Sequence, residues 1–219
     1  MATKATARIL IVDDHPMIRE LLGEYIRQQP DLTVCGEAAS AAEALQVARQ
    51  TKPDAAIVDL TLKDSSGMDL IRELRAQFPA LRILVLSMHE EALYAERALH
   101  AGAHGYVAKQ EATQSILAAL RRVLNGETYV SDRLAAQLLR GVAAGQLAGG
   151  AEQTLSDQEL AVFRLIGQGW NTRQIAEKLN LSAKTVESYR ARIKQKLQLQ
   201  TAGQLMQRAV LWVQEQGKS

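Results

Sequence analysis

A chain of 219 residues has room for one large domain or two small ones. Its composition, 47% hydrophobic and 23% charged, is an ordinary water-exposed mix with enough apolar residues for real cores. No apolar run approaches the roughly 20 residues that span a bilayer, and the polar residues 1–8 run directly into a strand-like segment, so neither a membrane helix nor a signal peptide is expected. The net charge of +2 hides an asymmetry. Residues 1–150 carry 16 Lys+Arg against 18 Asp+Glu, whereas residues 151–219 carry 10 against 6, a basic excess that points weakly to a polyanionic partner. Cys35 is the only cysteine; it cannot form an internal disulfide and fits a reducing cytoplasm.

Residues 8–125 alternate between strand-like and helix-like segments. The run Arg8-Ile9-Leu10-Ile11-Val12 reads as a first strand ending at Asp13-Asp14, and His15-Pro16 opens a helix to about residue 28, with proline suited to the first turn. Residues 32–37 form a shorter second strand. Ser40-Ala41-Ala42-Glu43 reads as a capping box for a helix to about residue 51. Ala55-Ala56-Ile57-Val58 is short, apolar and partly β-branched, as expected of a buried strand, and it stops on Asp59. A loop over residues 60–65 leads to a helix over 66–77. A fourth strand over 83–87 ends at Ser87, and a helix spans 90–101. A fifth strand over 106–108 ends at Lys109, and a helix over 113–125 closes the series. Strict β/α alternation predicts a five-stranded parallel sheet of flavodoxin-like type with helices on both faces and right-handed crossovers.

From residue 128 the pattern weakens. A helix is expected near 132–140. The uncharged, Gly- and Ala-rich run 141–150 reads as flexible linker. The rest is helical: Ser156…Glu159 and Asn171…Gln174 are capping boxes, Ser182 caps a helix to about residue 197, and Thr201 caps the last, to about residue 213. The expected organisation is a first domain over 1–127, a linker over 128–154 and an all-α domain over 155–219.

Open α/β sheets bind ligands outside the carboxyl ends of their strands. There this sequence delivers Asp13, Asp14, Asp59, Ser87 and Lys109. An isolated Asp at a strand end is most often a turn residue, but five such groups at one edge is not a chance arrangement. Three adjacent carboxylates repel unless a cation intervenes, and an oxygen-only ligand set suits Mg²⁺. Mg²⁺ beside a carboxylate, a lysine and a hydroxyl is equipment for phosphoryl transfer, with Lys109 and Ser87 engaging a phosphoryl group placed on Asp59. His15, His89, His100 and His104 form no ligand cluster by spacing: His15 reads as a helix-opening residue and the others as surface or turn residues.

Asp13-Asp14, Asp59, Ser87 and Lys109, with Tyr106 just before the lysine and Gly67 eight positions after Asp59, resemble the receiver domain of bacterial two-component response regulators. Leu62-Lys63 departs from the commoner Met-Pro of that family. The resemblance implies that Asp59 accepts phosphate from a histidine kinase. It implies that Asp14, Asp13, Asp59 and the backbone carbonyl of Thr61 bind Mg²⁺, that Lys109 and Ser87 stabilise the phosphate, and that Ser87 and Tyr106 form the switch.

The helices expected at 172–179 and 182–197, joined at Asn180-Leu181, have the helix-turn-helix outline. Val186, Ile193 and Leu197 lie on one stripe of the second helix, with Tyr189 at its edge. The opposite face carries Lys184, Ser188, Ala191 and Gln195, flanked by Glu187 and Arg192. Five cations (Lys184, Arg190, Arg192, Lys194, Lys196) against the single anion Glu187 would anchor phosphates, while Glu187 and Ser188 could read base edges, and Thr185 is a further expected DNA-binding residue. Leu155-Ser156…Glu159, Ile175-Ala176, Leu181-Ser182, Thr185-Val186-Glu187 and Ile193…Lys196-Leu197 resemble the LuxR-type helix-turn-helix domain. Receiver plus this domain is the NarL/FixJ architecture. It implies a cytoplasmic, DNA-binding transcription regulator whose phosphorylation changes dimerisation and binding to two-fold-related half-sites of double-stranded DNA. The last helix, with Leu205, Val210 and Val213, is either a dimer surface or domain core.

Three rival readings are weaker. An Asp-nucleophile phosphatase needs a general acid two residues after the nucleophile, and Thr61 stands there. A flavodoxin-like electron carrier would cradle phosphate where Asp13-Asp14 would repel it. A receiver signalling without phosphate has no need of the intact acidic set.

Overall fold

In the computed structural model, which describes residues 6–63, 65–88, 91–132, 134–136 and 151–217, the apolar runs of the N-terminal part become strands of one parallel sheet. They are β1 (Ala7–Val12), β2 (Leu32–Ala38), β3 (Ala55–Val58), β4 (Arg82–Ser87) and β5 (Gly105–Ala108), in the order β2-β1-β3-β4-β5. The chain leaves β1 for β2 on one side and then returns to β3 on the other, so the strand order reverses between β1 and β3. Such a switch point leaves a crevice at the carboxyl ends of the strands. Val12 pairs with Val58 and Val58 with Val85, so Asp13 and Asp59 leave the sheet side by side. Ser87 pairs with Ala108, the residue before Lys109.

Five helices cover the sheet: α1 (Pro16–Arg27), α2 (Ala41–Thr51), α3 (Gly67–Gln77), α4 (Glu91–Ala101) and α5 (Ala112–Leu124). Alternate strand residues face opposite layers. Ile9, Ile11, Ile57, Leu84, Leu86 and Val107 pack with Leu22 and Ile26 of α1 and Ile116, Leu120 and Val123 of α5. Their neighbours Leu10, Ala56, Val58, Ile83 and Val85 are equally buried. Each such Ile or Leu contributes about 1.5–3 kcal/mol relative to exposure, and this is what fixes the strand ends relative to one another.

Several local expectations change. Ser40 does accept from the Glu43 N–H at 3.3 Å, but the Glu43 carboxylate accepts from Ala39 N–H at 2.7 Å, so the box closes one residue early. The segment expected as loop after Asp59 contains a two-residue antiparallel pair, Thr61–Leu62 with Ser65–Ser66. The residues after α5 stay on the sheet: Tyr129 forms a bridge with Gly105, donating from its N–H to His104 O (3.0 Å) and accepting from Tyr106 N–H (2.8 Å). Arg122 lies over the Tyr129 ring at 5.5 Å. Asp132 and residues 134–136 are helical, with Ser131 Oγ accepting from Leu134 N–H. The remainder of the helix expected near 132–140, the Gly/Ala run and His89 lie outside the described residues.

Residues 1–138 and 139–219 form two compact units. In the second, a 3₁₀ turn (Ala151–Thr154) precedes α6 (Asp157–Gly167), α7 (Thr172–Lys178), α8 (Ala183–Lys196) and α9 (Ala202–Gly217). The capping boxes at Ser156/Glu159 and Asn171/Gln174 are both complete. Leu160, Phe163, Ile166, Ile175, Val186, Ile193, Leu205, Ala209 and Trp212 are buried. At Gly167 a Cβ would meet Ala209 O at 2.3 Å, so glycine there lets α6 and α9 touch backbone to backbone. Among the described residues no helix is long and apolar enough to cross a membrane.

Candidate functional site

The crevice between β1 and β3 gathers the polar strand ends. Asp13, Asp59 and Ser87 are buried, and the Lys109 side chain is only 9% exposed. Lys109 begins a 3₁₀ turn that aims it back over the rim. Its Nζ donates to Asp59 Oδ2 at 2.6 Å and to Asp13 Oδ2 at 2.7 Å. Asp59 Oδ1 accepts the Thr61 N–H at 3.2 Å, which orients the carboxylate from the loop side. Burial pushes the Asp59 carboxyl above its ordinary range, against the opposing pull of the Lys109 ammonium. Burial would lower the Lys109 amine, but its hydrogen bonds to Asp13 and Asp59 outweigh that and hold it up, so it stays charged.

The acceptor loop has no room for a larger residue at its far end. The N–H of Gly67 donates to Leu60 O at 3.0 Å, and a Cβ on Gly67 would fall 2.4 Å from Asp59 O and 2.5 Å from Leu60 Cα.

Asp13, Asp14, His15 and Asp59 each offer one atom to a group lying within 4.8 Å. Asp14 is 8% exposed, and its Oδ1 lies 2.7 Å from the His15 ring nitrogen. Three buried carboxylates brought together, two of them sharing one ammonium, are the donor set of a hard divalent cation, so these residues fit Mg²⁺. Arg19 adds support: its guanidinium donates to the Asp13 carbonyl at 2.6 Å. The sequence alone gives no sign of that contact, or of the His15 ring being turned toward the acids it follows.

Tyr106 and Ser87 are fully buried, on adjacent strands. His104 is not a simple turn residue: its Nδ1 accepts the Ile83 N–H at 3.1 Å. Burial, with Arg75 and Arg82 nearby, lowers its pKa to about 4, so it is an uncharged acceptor.

In the second unit, α7 and α8 are joined by a turn in which Asn180 takes φ 53°, a left-handed conformation that asparagine tolerates. Val186 and Ile193 face the core, and Lys184, Glu187, Ser188, Ala191, Arg192 and Gln195 are exposed. Ser182, Lys184, Thr185, Ser188, Tyr189 and Arg192 line a shallow concavity of about 350 Å³. Arg192 stacks on Tyr189 at 5.8 Å. Not every predicted contact residue points outward with a free end. Lys196 Nζ donates to Glu159 Oε2 at 2.6 Å and to Thr154 O at 3.1 Å, and Glu187 accepts from Thr172 Oγ1 at 2.7 Å. Arg190 and Lys194 are half-buried. On α9, Leu205 belongs to the core, whereas Val210 and Val213 are half-buried and Met206 and Leu211 are 45% and 46% exposed.

Comparison with known proteins agrees with both halves. Residues 9–121 match the response regulator receiver domain family, and residues 153–209 match the bacterial regulatory proteins, luxR family. The transcriptional activator protein ExaE of Pseudomonas putida is 40% identical over 203 residues, 92% of this chain and 95% of that protein. The oxygen regulatory protein NreC of Staphylococcus carnosus is 33% identical over 93% of this chain and 96% of its own. Among solved structures, RcsB from Salmonella enterica serovar Typhimurium, bound to promoter rprA in the presence of phosphomimetic BeF3-, aligns with a TM-score of 0.57 at 27% identity, covering 92% of this chain and 97% of that one. The chain belongs to the two-component response regulators of the NarL/FixJ type, transcription factors rather than enzymes, in which a receiver domain precedes a LuxR-type DNA-binding domain.

Proposed function

We propose that Asp59 is the phosphoacceptor of a cytoplasmic, kinase-controlled transcription switch. The observation that carries this reading is the Lys109 ammonium lodged between Asp59 and Asp13 at the sheet's switch point. A phosphorylated histidine of the kinase is the donor. Asp59 Oδ2 attacks phosphorus, the P–N bond breaks, its electron pair returns to the imidazole nitrogen, and an acyl phosphate remains. Asp13, Asp14, Asp59 and the Thr61 carbonyl would hold Mg²⁺, which would neutralise charge on the transferring oxygens. Lys109 shifts its bonds from the free carboxylate to a phosphoryl oxygen, and Ser87 takes another. The new dianion thus reorganises the ends of β4 and β5, and Tyr106, on β5, carries the change outward.

The output is binding to double-stranded DNA. Lys184, Arg190, Arg192, Lys194 and Lys196 contact phosphates, and Thr185, Glu187 and Ser188 approach base edges, with Ala191 leaving room between them. The Lys196 contact requires it to give up its bonds to Glu159 and Thr154. Phosphorylation favours a homodimer that reads two-fold-related half-sites, and the exposed Met206 and Leu211 of α9 are available to it.

The test is selection from randomised DNA by the full-length protein, with and without acetyl phosphate and Mg²⁺, beside Asp59→Asn. Donor-dependent enrichment of a palindromic site, absent in the variant, is expected. Enrichment indifferent to donor would leave a DNA reader without a switch, and no enrichment at any moderate salt would remove the DNA reading.

A further inference from the structure

We infer that His15 is a nitrogen ligand of the divalent-cation site, giving this receiver a stronger preference for late first-row transition ions than an all-oxygen site has. The inference rests on the reading that Asp13, Asp14 and Asp59 hold a cation. His15 is the residue before α1, with extended backbone (φ −87°, ψ 112°), and its side chain makes no cap bond to the helix. Its backbone N–H donates to Asp13 Oδ1 at 2.9 Å, which turns the residue toward the acids. Its Nδ1 lies 3.3 Å from Asp13 Oδ1 and 2.7 Å from Asp14 Oδ1.

The ring nitrogen is thus hydrogen-bonded to one buried carboxylate and paired with a second, so it already sits inside the acidic cluster. Asp13, Asp14, His15 and Asp59 each present one ligand-type atom, all within 4.8 Å of one another, a spacing that a single ion can span. A neutral imidazole carries a lone pair on one ring nitrogen, which can turn from the carboxylates to an entering cation. The ring itself is 64% exposed, so it can approach an ion from the solvent side without disturbing the core.

Carboxylates favour Mg²⁺, whereas imidazole favours the later ions of the first row, whose affinity for nitrogen sites rises from Mn²⁺ to Cu²⁺. One nitrogen among oxygens shifts the ratio of affinities while leaving the oxygen cage able to hold Mg²⁺.

The experiment uses the full-length protein, His15→Ala and Asp14→Asn, titrated calorimetrically with Mg²⁺ and with Co²⁺, and loaded with one equivalent of Cu²⁺ for pulsed electron paramagnetic resonance. His15→Ala removes no cap bond and keeps the backbone N–H bond to Asp13, and its urea midpoint beside the parent's checks that the fold is retained. The expected result is imidazole-nitrogen modulation in the parent, absent in His15→Ala. Co²⁺ affinity should also fall roughly ten-fold or more in His15→Ala, with Mg²⁺ affinity changed less than about two-fold. An oxygen-only spectrum in the parent, nitrogen modulation that persists in His15→Ala, or equal losses for both ions would overturn the role of His15 while the cation site stands. A parent that binds Mg²⁺ no better than Asp14→Asn would overturn the cation site and this inference with it.

Discussion

Replacing Lys109 by Met should destabilise the N-terminal unit, and Mg²⁺ should return part of the loss. Methionine keeps the apolar stem and removes the charge. Asp13 and Asp59, which now share one ammonium at 2.7 and 2.6 Å, would face each other unneutralised, with Asp14 beside them. Removing one partner of a buried pair costs roughly 3–5 kcal/mol, and the lower figure applies here because a proton can relieve the strain. Burial already pushes the Asp59 carboxyl up, and Lys109 is the chief opposing influence. A carboxyl raised in the folded state binds its proton there first, so folding gains as pH falls. The gap between Lys109→Met and the parent should therefore narrow as pH drops toward the raised Asp59 value. Urea unfolding followed by far-ultraviolet circular dichroism, in EDTA and in saturating Mg²⁺, measures this. Tryptophan fluorescence, which comes only from Trp170 and Trp212, follows the second unit separately. Equal stability in EDTA, or a loss that Mg²⁺ leaves untouched, would refute the electrostatic account of the pocket.

Four further outcomes are expected. Gly67→Ala must move backbone, since its Cβ would meet Asp59 O and Leu60 Cα; it should cost about 1–3 kcal/mol. It should also slow phosphorylation by acetyl phosphate by up to ~100-fold, read on phosphate-affinity gels, because a displaced acceptor is misaligned. His104, lowered to about 4 by burial and by Arg75 and Arg82, is neutral when folded while the unfolded chain protonates near 6.5. Its stabilising contribution is complete above that value and is lost as pH falls through the window. The loss is at most about 3 kcal/mol, and less with partial solvation of the ring; His104→Gln should flatten this slope in urea midpoints. Lys184→Ala should reduce the slope of log affinity against log salt by about one unit on operator DNA, a loss of one phosphate contact. Lys196→Met should reduce that slope less and lower stability by ~1–3 kcal/mol, because its Nζ serves Glu159 and Thr154.

The loss at Lys196 has its own pH sense. Burial would raise the Glu159 carboxyl, but the Lys196 ammonium and the Ser156 N–H outweigh it and hold it down. That stabilisation is present at neutral pH and disappears as pH falls through the lowered value; Lys196→Met should remove most of this dependence.

The sequence by itself determined the elements and the acidic rim. Apolar runs of four to six residues that stop on Asp13, Asp59, Ser87 and Lys109 are a one-dimensional signal, since strand period and chain polarity dictate which end carries the polar group. The helix starts at Ser156, Asn171 and Thr201 were equally legible, because a cap depends on residues three apart. Tertiary structure decided what depends on distant partners. The Tyr129 bridge to Gly105 needs the edge of β5 to be open, which no local pattern states. Lys196 looked like one more cation on a basic face until folding set it 2.6 Å from Glu159, 37 positions away. The last helix left core and surface undecided until packing buried Leu205 and left Met206 and Leu211 outside. His15 read as the start of a helix, and only the fold, by turning its ring toward two carboxylates, made it a candidate ligand. Backbone periodicity is written along the chain; the destination of a long polar side chain is set by whatever the rest of the chain brings within its reach.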